Sequence, residues 1–182
     1  MQMGLQHITD PKGFDHILFI ITICAVYSWH NWKSLIKLVT AFTIGHSVTL
    51  ALAATKVVVP NYQLIEFLIP VTILFSALHN IYKIENNHNF VYKYLTVTVF
   101  GFVHGLGFSN FFTAMMGDTQ SIVQPLLAFN IGLELGQLSI VLVFMGLYLL
   151  IDKFLKIQKR DWTIFVSGAS FGLSLVMILE RM

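Results

Sequence analysis

Six apolar stretches, each close to the roughly 20 residues a helix needs to cross a hydrocarbon core, leave this chain few folds to choose from. They cover residues 14–29, 35–54, 62–82, 91–115, 122–151 and 162–179. In lipid every backbone N–H and C=O must be satisfied within the protein, so such stretches are helices. The chain is 56% hydrophobic and only 11% charged, against about 25% charged in a soluble domain. Most of its surface therefore has to face something other than water. The expected fold is all-α: an integral membrane bundle of about six transmembrane helices, forming one domain over residues 1–182. The first stretch is short. The fifth is long and includes an interfacial start before Pro125.

The breaks carry turn-forming and polar residues: Trp29 to Lys33, Val59-Pro60-Asn61, Glu85 to Asn89, Gly117-Asp118, and Lys153 to Asp161. Trp29, Trp32, Tyr62, Tyr92, Tyr94 and Trp162 stand at segment ends, where an interfacial aromatic belt is expected. Lys33, Lys37, Lys83, Lys93, Lys153, Lys156, Lys159 and Arg160 fall on one side of the six spans, and Lys12, Lys56 and Arg181 on the other. The positive-inside rule places the first set in the cytoplasm and both termini outside, as in a bacterial inner membrane with the termini periplasmic. The basic stretch from Lys153 to Arg160 is expected to anchor the last two helices, touching anionic lipid. Residues 1–10 lack the basic and apolar regions of a cleavable signal peptide. The lone Cys24 lies in an apolar run and is read as packing. A net charge of +2 gives no reason to expect a nucleic-acid partner.

Against this apolar background the ionisable residues inside the spans carry the information. They are Asp15, His16, His46, His79, His104 and Glu134, with His7 just before the first span. A central Asp costs about 2.5–3.5 kcal/mol to insert, and such groups are kept where they pair, line a wet cavity or hold an ion. With a rise of about 1.5 Å per residue and spans alternating in direction, Asp15, His16, His46, His104 and Glu134 reach a similar level in the outer half. His7 can fold down to them from the outer tail. His79 lies near the inner end of its helix and is left out. Asn130, Glu134 and Gln137 share one face of the fifth helix, and Thr43, His46 and Ser47 form a polar stripe on the second. Asp15 and His16 are adjacent and point about 100° apart, so one can hold an ion while the other orients a ligand. Gly101, Gly105 and Gly107 flank His104, and small residues let helix backbones approach closely.

Several imidazoles with carboxylates suit a borderline divalent ion: nickel, cobalt, zinc or copper(II). Magnesium and calcium prefer all-oxygen shells. The absence of thiolates disfavours a cuprous site.

The same residues lie in four blocks: His7-Ile-Thr-Asp-Pro-Lys-Gly-Phe-Asp15-His16, Phe42-Thr-Ile-Gly-His46-Ser47, Phe102-Val-His104-Gly105-Leu-Gly107-Phe108, and Phe129-Asn130-Ile-Gly-Leu-Glu134-Leu-Gly-Gln137. With these blocks in order the chain resembles, over nearly its whole length, the HupE/UreJ family of small membrane proteins associated with nickel and cobalt uptake. The family's opening pattern is His, five residues, then Asp-His; here seven residues separate His7 from Asp15. The resemblance implies metal contact by His7, Asp15, His16, His46, His104 and Glu134.

Two functions fit these residues. One is uptake: a divalent ion enters from outside, is stripped of water by the cluster and passes inward. The inner half offers little beyond Thr, Ser and His79, which argues against a simple channel and less against a moving carrier. The other is an intramembrane metalloenzyme, a zinc-type hydrolase with Asp15 or Glu134 as general base and Ser47 binding substrate. The resemblance favours uptake. A third role is as a helper that delivers metal to a partner complex. No nucleotide-binding motif is present, so an ATP-driven cycle would need a partner.

Overall fold

The computed structural model describes residues 1–82, 90–116 and 121–182. The breaks expected at Glu85–Asn89 and Gly117-Asp118 lie outside the described residues, as do Lys83 and His88. Among the described residues seven α-helices follow one another: α1 (Gln2–Thr9), α2 (Phe14–Cys24), α3 (Trp32–Ala54), α4 (Tyr62–Tyr82), α5 (Phe90–Met116), α6 (Val123–Leu155) and α7 (Lys159–Glu180). Short 3-10 turns at Pro11–Gly13 and Trp29–Asn31 lead into α2 and α3. The fold is the all-α bundle expected from the apolar periodicity. Five helices, α3 to α7, are long and apolar enough to cross a membrane.

The first stretch behaves differently. Its helix has 11 residues, a rise of about 16 Å, which is too short to cross alone. It is nevertheless central: α2 packs against α1, α4, α6 and α7, and Phe19 reaches Phe42 of α3 and Phe100 of α5. Around it α3 lies along α5, α5 meets α4, α4 lies along α7, and α6 returns to α3. Long side chains from α7 make up the missing height. Lys159, at the start of α7, donates to the Tyr27 carbonyl beyond the end of α2. Arg181, just past the end of α7, reaches Asp15 in the first turn of α2 (3.4 Å). Five helices are thus long enough to cross, and the short α2 packs among them.

Three further differences have physical causes. Residues 2–9 form a docked helix rather than a loose tail: Gly4 of α1 meets the Phe129 carbonyl and Leu133 of α6, and Gly132 and Gly136 of α6 meet Met1, Leu5 and Ile8, so closely that a Cβ at any of the three would collide. The fifth span is one unbroken helix of 33 residues, about 50 Å long. Pro125 is tolerated because it is the third residue of that helix, where no intrahelical donor is required. Trp29 and Trp32 are about half exposed, as belt residues should be, but Trp162 is buried against Phe144 and Tyr148. Cys24 is a buried free thiol within the core cluster, as its apolar setting suggested.

Candidate metal centre

The close approach of α3 and α5 begins the site. Gly45 sits against the Thr98 carbonyl, Gly101 against the Phe42 carbonyl, and Gly105 against the His46 carbonyl and Thr49 Oγ1; a Cβ at any of the three would strike backbone. Of the glycines flanking His104, Gly101 and Gly105 bring its helix close to α3, as their small size suggests. Gly107 instead faces Ile69 and Ile65 of α4. His46 and His104 are both fully buried. From the centre α2 brings Asp15 and His16, also buried. The docked α1 brings His7.

Four imidazoles from four helices thus cluster together. Ring centroids are 4.6 Å apart for His7 and His16, 5.0 Å for His16 and His104, 6.0 Å for His7 and His46, and 6.4 Å for His16 and His46. One ring nitrogen from each of His7, His16 and His46 lies within 4.8 Å of the others. Nitrogens around a tetrahedral ion with bonds of 2.0–2.1 Å are roughly 3.3 Å apart, so closing on an ion takes modest side-chain rotation. Phenylalanines form the walls: Phe129 stacks on His46 (5.9 Å), Phe108 on His7 (3.7 Å), and Phe42 and Phe19 each stand 5.2 Å from His104.

The hydrogen bonds fix which nitrogens are free. His16 Nδ1 donates to Asp15 Oδ1 at 2.9 Å, and His104 Nδ1 donates to the Phe100 carbonyl at 2.8 Å. Each ring is thereby held with its proton on Nδ1 and a lone pair on Nε2, the arrangement of a metal-binding histidine whose other nitrogen is anchored. Nε2 of His7, His16 and His104 and both ring nitrogens of His46 are buried without a hydrogen-bond partner among the described residues. An unpartnered buried polar atom costs about 1–3 kcal/mol, and a shared cation would relieve several at once. The donor set fits a borderline divalent ion.

Asp15 is held in turn. Its Oδ1 also accepts from the His16 backbone N–H (2.9 Å), and its Oδ2 faces Arg181 Nη2 (3.4 Å). Arg181 is anchored by donating Nη1 to the Glu66 carbonyl at 2.8 Å. The reason lies in the sequence of α4. Pro70, four residues after Glu66, has no N–H, so that carbonyl lacks its helical donor. Arg181→Gln should therefore lower stability by about 0.5–1.5 kcal/mol, since the Glu66 carbonyl contact is exposed and Asp15 keeps its two bonds to His16. In a Pro70→Ala background, where residue 70 can again donate to Glu66, the cost should be smaller, as a double-mutant thermal-melting cycle would read. Sequence reasoning put Arg181 on the same side as Asp15 but missed this link. The signal was there, in the spacing of Glu66 and Pro70.

The other sequence candidates are placed as follows. Glu134 Oε1 accepts from Thr40 Oγ1 (2.6 Å), and one turn on Gln137 accepts from Thr43 (2.8 Å), so this polar face joins α6 to α3. Thr40 is six residues from His46, about 9 Å along α3, and Glu134 is outside the three-imidazole group. Ser47 Oγ donates to Thr43 within its own helix. Asn130 Oδ1, beside Phe129, is buried without a partner among the described residues. His79 is well apart, lining a separate cavity of about 40 Å3 with Asn80 and Lys93.

Burial and the neighbouring imidazoles His16 and His46 hold His7, which lies on α1 outside the spans, well below the usual histidine range. The unfolded chain takes up that proton near pH 6.5 and the folded chain does not. The folded state is then at full stability above about pH 6.5 and loses stability as the pH falls below it. Melting of the metal-free protein from pH 7.5 to 5.5 should show this fall, and His7→Phe should reduce its slope.

A bundle of apolar helices around a buried, metal-competent imidazole cluster defines a polytopic membrane protein of the metal-associated kind. The chain matches the family described as HupE / UreJ protein over residues 1–180, and it belongs to that family. No curated protein and no solved structure matches it.

Proposed function

We propose that this protein takes up a divalent transition-metal ion of the nickel or cobalt type, which it first binds through His7, His16, His46 and His104 in the outward half of the bundle. Asp15 orients His16 rather than meeting the ion itself, and Glu134 ties α6 to α3. Both termini face outward, as the lysine and arginine distribution favours. The observation that supports this reading most is the set of unpartnered imidazole nitrogens on four helices. The ion is cargo, so each bond that strips its water must later be given up. Release has to carry it past Phe19, Phe42 and Phe100, which form an aromatic layer beside His104. No polar relay crosses that layer among the described contacts, so movement of helices, not a standing pore, is required.

That same layer favours a second reading, an intramembrane hydrolase that keeps its metal. A resident zinc-type ion would supply an activated water. His7, His16, His46 and His104 would hold it, and Asp15 would keep His16 in the correct tautomer.

Metal analysis of the purified protein and uptake into proteoliposomes separate the two. Uptake predicts exchangeable nickel or cobalt and metal entry that is lost in His16→Ala. The enzyme reading predicts one zinc per chain that resists chelator, and no entry. Asp15→Asn should weaken binding about 10–100-fold, the usual cost of losing a partner of a ligating histidine.

A further inference from the structure

His7 and Phe108 face two ways. Inward they border the imidazole cluster; outward they line an open cavity of about 680 Å3 between α1 and α5. A dication with six waters at about 30 Å3 each occupies only about 200 Å3. The cavity instead falls in the range of about 300–1,000 Å3 typical of sites for small organic ligands. Its walls are mixed. Met3, Pro11, Phe108 and Phe111 supply apolar surface, Gln6, His7 and Thr9 supply polar groups, and Asp10 is the one acidic residue lining it among the described residues. Phe111 and Phe108 stand 5.3 Å apart, with Phe108 packed 3.7 Å from the His7 ring, so an aromatic shelf leads directly to the first imidazole.

We infer that this vestibule receives the metal as a neutral chelate with small amino-acid-class ligands, and that the imidazole cluster strips the ion from it. The inference rests on the uptake reading and names the form of its cargo. Two monoanionic amino-acid ligands cancel the charge of a dication. That lowers the cost of passing the apolar side of the vestibule, where a ligand ring can stack on Phe108 and Phe111, while Gln6 and Thr9 offer polar groups to the chelator. Transfer is ligand exchange without redox. Each metal bond to a chelator nitrogen or oxygen that breaks is replaced by one to an imidazole nitrogen. The freed amine leaves with a proton from solvent, and the carboxylate leaves as the anion. His7, present on both sides, makes the first exchange.

The test uses the full chain in nanodiscs with nickel chloride in a non-coordinating buffer, with nickel bis-histidinate carrying radiolabelled histidine, and with labelled histidine alone. The parent should bind label transiently from nickel bis-histidinate and release it as nickel transfers to the cluster, and should bind none from histidine alone. Phe111→Trp, which narrows the vestibule away from the cluster, should slow loading from the chelate at least tenfold and leave loading from nickel chloride within twofold. His46→Ala should retain labelled chelate and fail to release its histidine. Absence of any transient label on the parent and of any trapped label on His46→Ala, or equal slowing of both metal forms in Phe111→Trp, overturns the inference while nickel chloride binding leaves the metal centre standing. If the parent binds nickel in neither form, the uptake reading falls and the inference with it.

Discussion

Replacing His46 with leucine should abolish metal binding and at the same time make the metal-free protein more stable. Both ring nitrogens of His46 are buried without a partner among the described residues, and the side chain has no exposed surface. Each such atom costs about 1–3 kcal/mol. Leucine is close in volume and carries no polar atom. The lost stacking on Phe129 returns about 0.5–1.5 kcal/mol, so a net gain of about 1 kcal/mol or more is expected without metal. With metal the order reverses. The parent is stabilised by about 4 kcal/mol when free metal is 1,000 times its Kd, and the variant gains nothing. Loss of a direct ligand should cost at least the 100-fold in affinity that marks the upper range for losing a ligand's hydrogen-bond partner. Paired thermal melts with and without nickel read both effects. A His46→Leu protein that melts lower than the parent in the absence of metal would mean that the imidazole is satisfied within the chain and that the cluster was never short of a cation.

Gly105→Ala should damage both the fold and the metal centre. Its Cβ would meet the His46 carbonyl and Thr49 Oγ1 at the α3–α5 contact, so the helices must part. Overpacking of this kind costs about 1–3 kcal/mol, more where backbone has to move. Because the displaced backbone belongs to His46, metal affinity should fall with stability, at least tenfold. Gly101→Ala and Gly45→Ala should behave alike, since each would strike a carbonyl across the same contact. Gly146→Ala and Gly168→Ala are the controls. Nothing lies within 4 Å of a Cβ at either position, and alanine is about 0.5–1 kcal/mol better than glycine inside a helix, so both should be neutral or slightly stabilising. Equal effects at Gly105 and Gly168 would refute the close contact that holds His46 beside His104.

Much of this arrangement was legible because helices in apolar surroundings obey simple geometry. A span reads as a span from its length, and a histidine's depth follows from counting 1.5 Å steps, which brought His16, His46 and His104 to one level. Where contacts between helices decide, counting was not enough. Residues 2–9 are too few and too polar to register as a helix by periodicity; they are ordered by glycine contacts with α6 that no local pattern reveals. Glu134 passed the depth test, but a shared level does not fix direction around the helix axis, and its hydrogen bond from Thr40 could not be read from spacing. Trp162 carries the usual mark of an interfacial residue, but α6 and α7 close over it.

The sequence by itself determined that this chain forms apolar helices, where they begin and end to within a few residues, and which polar groups must be excused from lipid. Those properties follow from local composition and the fixed rise of a helix. Tertiary structure decided which nitrogens remain unpaired, that α1 carries His7 into the bundle, and that Arg181 reaches Asp15 by way of a carbonyl freed by Pro70. These depend on the rotation of each helix about its own axis and on contacts between residues far apart in the chain, neither of which local spacing fixes.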